Sequence, residues 1–272
     1  MKISSENTKN NDAWLLENRN LRMDANNEIF NQERRQFHLD RYVFAQPFCE
    51  DKFVLDGACG TGYGTAILGE KARHAIGIDI SADAINYADS NYGASNINFQ
   101  QSTVEYTPFE DEAFDVIVSF ETVEHTLCPV SHIMEIARLL KPENGKAIVS
   151  IPNEWGLTEH HFFDFNYLLL KEIVDQFFGE IIYYYQIPKN KNSKIQHIGA
   201  LSNIDKKDAQ CIIAVCSGVK KHNIYHDRLS HIMAEIYKNA FTRHNEYRTL
   251  LYRQNTPMIR RFINKLKSLI NS

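Results

Sequence analysis

From Phe53 to about Ser217 the chain alternates short apolar runs with segments of helical periodicity, and that alternation restricts it to one fold class. Seven runs read as strands: Phe53–Asp56, Ala75–Ile78, Ile97–Gln100, Asp115–Phe120, Lys146–Ile151, Glu180–Gln186 and Cys211–Ser217. Several are rich in β-branched residues and almost continuously apolar, the pattern of strands covered on both faces. Helical segments lie between them. Ser81 is placed to cap a helix over Ala82–Tyr92, and Pro129–Leu140 and Asn166–Phe178 carry apolar residues at helical spacing. Strand–helix–strand order calls for parallel pairing with right-handed crossovers. The expectation is an α/β fold: a seven-stranded, mostly parallel sheet with helices on both faces.

The flanks differ from this middle. Residues 1–30 are rich in Asn, Ser and charge and read as a mobile or loosely docked arm. Glu33–Phe48 then reads as a helix that ends near Pro47, so 1–48 form an N-terminal arm and entry helix before a domain over 49–218. The Lys- and Asn-rich stretch Pro188–Asp208 reads as a loop. Beyond Ser217 the strand signal stops, and His222–Asn255 and Pro257–Ile270 read as helices of an extension over 219–272. No internal repeat is present.

Composition excludes several classes. Hydrophobic content of 43% and charged content of 24% rule out wholesale disorder. A net charge of −4 argues against a protein that coats nucleic acid, and no DNA partner is expected. The average hides an asymmetry: residues 219–272 hold 11 Lys/Arg against 3 Asp/Glu, or +8, which leaves −12 for the rest. The five cysteines are odd in number and scattered, which fits reduced thiols in a cytoplasmic protein better than a disulfide framework. The polar first residues lack the apolar stretch of a signal peptide, and no run approaches the ~18 to 20 apolar residues of a membrane span.

The strongest local signal is VLDGACGTGYGT, Val54 to Thr65. An apolar strand ends at Asp56, then Gly60, Gly62 and Gly64 precede a helix. Closely spaced glycines let a backbone turn sharply and approach a ligand, and a helix N-terminus beyond them offers free N–H groups. A second strand ends at Asp79, 79 − 56 = 23 residues later, where an acid can accept hydrogen bonds from ribose hydroxyls. A dinucleotide-binding loop would read GxGxxG and seat a pyrophosphate. Here Asp56 would repel a pyrophosphate and suit the ammonium of an amino-acid moiety, so charge favours S-adenosyl-L-methionine (SAM) over NAD.

This loop resembles motif I of class I SAM-dependent methyltransferases, an acidic residue followed by xGxGxG. Ala58 departs from it, standing where the family usually has its first glycine. Asp79, with Ile80 beside it, matches the ribose-binding acid. Gln101–Glu105, before Thr107-Pro108-Phe109, matches the segment that borders adenine through Thr103 and Val104, though the family often has Asp where Thr103 stands. Phe114–Val118 and Leu139–Gly145 resemble the fourth strand and the turn before the fifth. The resemblance runs from about Phe53 to Pro152 and implies a Rossmann-like fold, with SAM as cofactor and S-adenosyl-L-homocysteine as product.

Further matches resemble methyltransferases of bacterial polysaccharide and glycosyl clusters (methyltransferase type 11/23 domain). Phe37–Ala45 is similar to their entry helix, whose Arg-Tyr pair, here Arg41 and Tyr42, lies near the cofactor's methionine end. Arg41 suits a carboxylate, although the same helix reads equally as an amphipathic cover for the sheet. Ser119–His125 ends the fourth strand, where α/β sheets place ligands, so Phe120 and Glu121 are candidate cofactor contacts and His125 a candidate base, or else a cap or core histidine. Ser150–Asn153 and Glu159–Phe165 also resemble that group and single out His161. Two mechanisms stay open. Without a metal, His125 or His161 takes a hydroxyl proton. With one, Glu121, Glu124, His125 and His161 hold a divalent ion, an arrangement similar to that of small-RNA 2′-O-methyltransferases.

Met258–Ile270 is amphipathic, with Ile259, Phe262, Ile263, Leu266 and Ile270 on one face. It reads as a helix packed on its own domain or in a homodimer, or as a peripheral contact with the inner membrane. The combined expectation is a methyltransferase acting on a sugar hydroxyl of a surface polysaccharide or glycosylated metabolite. Its alternatives are a metal-dependent RNA 2′-O-methyltransferase and a non-catalytic SAM-binding scaffold.

Overall fold

Strand direction and order in the sheet place every other part of the molecule. A computed structural model of the chain describes residues 14–17, 23–158, 161–189, 192–197 and 209–220. Five apolar runs form parallel strands: β1 (Phe53–Gly57), β2 (His74–Asp79), β3 (Ile97–Gln101), β4 (Val116–Phe120) and β5 (Lys146–Pro152). Three more follow, β6 (Phe178–Lys189), β7 (Asn192–His197) and β8 (Cys211–Val219), and the sheet order is β3-β2-β1-β4-β5-β8-β6-β7. The seven strands read from the sequence are all present. β8 inserts antiparallel between β5 and β6, so the sheet is mostly parallel with an antiparallel end.

The eighth strand corrects the loop expected over Pro188–Asp208. Asn192–His197 turns back on β6, with Lys189 opposite Asn192 and Tyr184 opposite His197. Its sequence, NSKIQH, has the charge and amide content that an edge strand tolerates, and an edge strand needs no apolar run to be held.

The helices are α1 (Gln32–Ala45), α2 (Tyr63–Gly69), α3 (Ala82–Tyr92), α4 (Pro129–Leu139) and α5 (Tyr167–Phe177). Ser81 caps α3 as expected, Asn31 and Asn166 likewise each accept a backbone N–H with the side chain, and Pro129 takes the first position of α4. The chain after α1 tightens into a 3-10 turn over Gln46–Cys49, because Pro47 cannot continue an α-helix.

The strands split their side chains between two cores with period two. Leu55, Ile117, Val149 and Ile212 face α4 and α5, alongside Ile133, Ile136, Leu170 and Ile173. Val54, Val116, Val118, Ile148 and Ile213 face the other side, with Tyr42 of α1, Leu68 of α2 and Tyr87 of α3. β4 is buried at all five positions, as expected where helices cover both faces.

The N-terminal arm is docked where it is described. Leu15, Met23, Ala25 and Phe30 belong to the second core, Trp14 packs on Tyr87 at 5.3 Å between ring centroids, and the buried Asp24 accepts hydrogen bonds from Tyr87 and Tyr92. Polar composition suggested looseness; a few well-spaced apolar residues and one buried acid fasten the segment. All five cysteines are buried and free. No helix among the described residues is long and apolar enough to cross a membrane. The expected helices over His222–Asn255 and Pro257–Ile270, with the membrane or dimer contact assigned to them, lie outside the described residues.

Candidate active site

Strand order reverses between β1 and β4, and in open α/β sheets the crevice at that reversal, beyond the carboxyl ends, is where ligands bind. The glycine loop leaves β1 there. Ala58 and Gly60 sit at φ 61° and 56°, in the left-handed region that suits glycine and strains alanine. A Cβ added to Gly60 would meet nothing within 4 Å, so the loop is open at that point, as a cofactor cradle requires. Gly62, expected at the cofactor, has neighbours instead: an added Cβ would come within 2.6 Å of Ala88. Gly64 faces the Tyr42 ring at 2.0 Å from the same construction, so its missing side chain admits α1.

Asp79, at the end of β2, is buried and fixed by two backbone amides: Gly60 N–H donates to Oδ2 at 3.1 Å and Ser81 N–H to Oδ1 at 2.9 Å. Both carboxylate oxygens are thus oriented by the glycine loop and by the turn into α3. Ile80 follows it with 71% of its surface exposed. Thr103 and Val104 leave β3 beside Asp79, where Ser102 N–H donates to the Asp79 carbonyl.

Asp56 has a different environment from the one its charge suggested. It is fully buried, accepting from the Thr65 hydroxyl at 2.7 Å and the Tyr42 hydroxyl at 3.4 Å, and burial pushes its carboxyl up to about 7. An enclosed acid with two hydroxyl partners organises the loop and α1, which weakens the case for a direct contact with a cofactor ammonium.

Arg41 is enclosed on the other side of Tyr42, 1% exposed. Its guanidinium donates to Gln186 Oε1 at 3.2 Å and to His38 Nδ1 at 2.9 Å, and rests on the Phe37 ring. His38 is an acceptor here because burial, and then the positive charges of Arg41 and Arg34, hold it well below its ordinary range. Burial opposes the charge of Arg41, and the carboxylate of Glu121 favours it. Glu121 caps β4 at φ 49° and accepts from the Ser150 hydroxyl at 3.0 Å and the Cys211 thiol at 3.2 Å. Phe120 is buried edge-on against Tyr42, 5.1 Å between centroids. Gln186 had no sequence signal, since it comes from β6, which reaches α1 only through tertiary packing.

His125 and His161 come together. His125 ends a 3-10 turn (Val123–His125) and His161 lies on the segment after β5; their rings meet at 4.8 Å and 77°. Phe162 N–H donates to the Glu124 carbonyl, joining the two segments, and the half-exposed Trp155 ring lies 6.5 Å from His161. Glu124 is fully buried, and neither carboxyl oxygen has a hydrogen-bond partner among the described residues. His125 lies beside it, with Nε2 3.7 Å from Glu124 Oε1. Burial, and then the negative charge of Glu121, hold the Glu124 carboxyl well above the usual carboxylate range. Glu124, His125 and His161 present ligand atoms within 4.8 Å of one another. Glu121 stands outside that group, committed to Ser150 and Cys211.

Residues 55–149 match the methyltransferase domain family. A protein of Mycobacterium tuberculosis named as a probable S-adenosylmethionine-dependent methyltransferase is 32% identical over 112 residues, 41% of this chain and 40% of that protein. A ubiquinone biosynthesis O-methyltransferase of Coxiella burnetii is 31% identical over 115 residues, 42% of this chain and 49% of that protein. The matched segment thus spans less than half the length of these curated relatives. Among solved structures, a SAM-dependent methyltransferase from Thermotoga maritima superposes with a TM-score of 0.56 at 15% identity, covering 78% of this chain and 95% of that one. A (4+2)-cyclase gives 0.54 at 15% identity over 73% and 86%, so likeness of this kind speaks to the fold alone.

Proposed function

We propose that this chain, which carries a SAM-dependent methyltransferase domain, is an O-methyltransferase whose acceptor is a sugar hydroxyl of a surface polysaccharide or glycosylated metabolite. The observation that carries the reading is the pairing of His125 with His161 at the carboxyl end of β4, on the same edge of the sheet as the open Gly60 and the fixed Asp79. The residues suit the cofactor: Gly60 leaves room for it, and Asp79 stands at the strand end that a ribose would meet. When bound, SAM supplies an electrophilic methyl group on a sulfonium.

The chain's own part is orientation and proton transfer. His125, 38% exposed at its side chain, is the group open to an incoming hydroxyl, and imidazole is the side-chain type suited to accepting a proton. It accepts the acceptor's proton as the oxygen attacks, with His161 holding the ring edge-on. Glu124, buried and with its carboxyl raised above the usual carboxylate range by that burial, lies against the imidazole that becomes positive. Trp155 offers an exposed face beside the pair on which a sugar ring can rest. Closing such a site against water strengthens each of these interactions.

A second reading has its own support. A buried carboxyl with neither oxygen hydrogen-bonded, beside two imidazoles within 4.8 Å, also suits a divalent cation that would lower the pKa of an acceptor hydroxyl, including a ribose 2′-hydroxyl of RNA. The naming of one relative as an O-methyltransferase favours an oxygen acceptor under either reading.

The test is transfer of radiolabelled methyl from SAM to fractionated surface glycans and to total RNA, with and without EDTA. Label in glycan that persists in EDTA supports the first reading. Label in RNA that EDTA removes would replace it. Binding of SAM with no transfer to any pool would leave a scaffold.

A further inference from the structure

The loop between β3 and β4, residues 102–113, contains neither helix nor strand, yet it starts beside Asp79, whose carbonyl accepts the Ser102 N–H. A ligand wall has to be held to within about half an ångström to discriminate, and an irregular loop cannot do this with its own backbone. Here side chains of α4 satisfy the loop's polar groups. His132, 1% exposed, meets the Val104 carbonyl with Nδ1 at 3.0 Å and the Ser119 hydroxyl of β4 with Nε2 at 3.0 Å. A carbonyl only accepts, so Nδ1 carries the proton and Nε2 accepts from Ser119. One turn further, Glu135 Oε1 accepts the Thr107 N–H at 2.7 Å and the Thr107 hydroxyl at 2.8 Å, while Arg138 grips both carboxylate oxygens. The loop answers at the start of α4, where Glu105 accepts the Cys128 N–H at 2.6 Å.

We infer that His132 and Glu135 are positioning residues that hold this loop as the wall of the adenine subsite and thereby set the protein's selectivity for the base. The inference rests on the SAM reading proposed above, together with the resemblance by which Thr103 and Val104 would border adenine. Two features separate it from ordinary packing. Both residues face buried backbone of a segment that has no ladder of its own, and His132 also reaches β4 one residue before Phe120, tying the base wall to the strand that carries Glu121. Their charge states suit the task across neutral pH: burial drives His132 down to about 4, so the ring stays neutral, and although burial opposes ionisation of Glu135, its bonds from Arg138 and Thr107 hold the carboxyl below the usual carboxylate range.

Calorimetric titration with S-adenosylhomocysteine and with S-inosylhomocysteine, which differ only at the base, tests this. The wild-type protein should prefer the adenine ligand. Glu135→Ala and His132→Leu should each weaken S-adenosylhomocysteine binding by about tenfold, the scale of one buried hydrogen bond, and shrink the adenine-over-hypoxanthine ratio. Glu135→Gln and His132→Asn, which keep an acceptor or donor in place, should fall between. Where the severe variants do not fold, the conservative pair must still lower the ratio. A clamp that only stabilises the fold would reduce Tm and leave the ratio as in wild type, and that result overturns the inference, as does a wild type indifferent to the base. A wild-type protein that binds neither ligand would instead overturn the cofactor placement.

Discussion

The His125 and His161 rings meet edge to face at 4.8 Å although 161 − 125 = 36 residues separate them. The Glu124 carbonyl, accepting from Phe162 N–H, is the backbone contact that brings their segments together. Replacing either ring should therefore affect chemistry more than cofactor binding. His161→Ala should lower kcat by about 100-fold, the scale of a reacting group misplaced by about an ångström, and leave the Kd for S-adenosylhomocysteine within about twofold of wild type. Full activity in that variant would remove His161 from the mechanism.

The glycine loop separates binding from folding position by position. Gly60→Val should keep the fold at a modest loss of Tm and abolish detectable S-adenosylhomocysteine binding, because the space beside it is open and the branched side chain enters it. Gly64→Ala should instead unfold or strongly destabilise the protein, its Cβ colliding with Tyr42. Ala58→Gly should raise stability by about 1 kcal/mol by relieving a left-handed backbone. Equal loss of binding and stability in the Gly60 and Gly64 variants would contradict this division.

Asp56 predicts a pH dependence. Its carboxyl is raised from 3.8 to about 7 by burial, so in the folded protein the proton is held more tightly than in the unfolded chain. The stability linked to that proton is fully present below about pH 4 and is lost as pH rises toward and through 7. Asp56→Asn retains an acceptor and carries no buried charge. The difference in Tm between wild type and Asp56→Asn, followed from pH 5 to 8.5, should move in favour of the variant as pH rises. A difference that stays flat would mean that Asp56 is ionised at little cost in the folded state.

Glu124 distinguishes the two mechanisms. If the group formed with His125 and His161 holds a cation, free Mn²⁺ should lose its electron paramagnetic resonance signal on titration with the protein, and Glu124→Gln should restore it. If the site works without metal, the signal persists, EDTA leaves turnover unchanged, and Glu124→Gln, an isosteric neutral replacement for a carboxyl that burial raises above its usual range, keeps most of the activity.

What the sequence determined by itself is local or periodic. Strands β1, β2, β4 and β5 were legible because strands buried on both faces are apolar almost throughout, and the start of α3 was legible because Ser81 caps through a bond three residues long. Asp56 and Asp79 stood out because a strand's end fixes where its last side chain lies. Tertiary structure decided the rest. β7 has no apolar signature, since an edge strand is held by its neighbour's backbone; Gln186 meets Arg41 across 145 residues, and His132 reaches Val104 across 28. The charge of Asp56 reads the same in any sequence window, yet its enclosure by Thr65 and Tyr42 turns a candidate ammonium partner into a buried acid that titrates near neutrality. Hydrogen-bond capping and side-chain periodicity act over a few residues and are written in order along the chain, whereas burial, and every shift of charge that follows from it, exists only once distant segments have closed around a group.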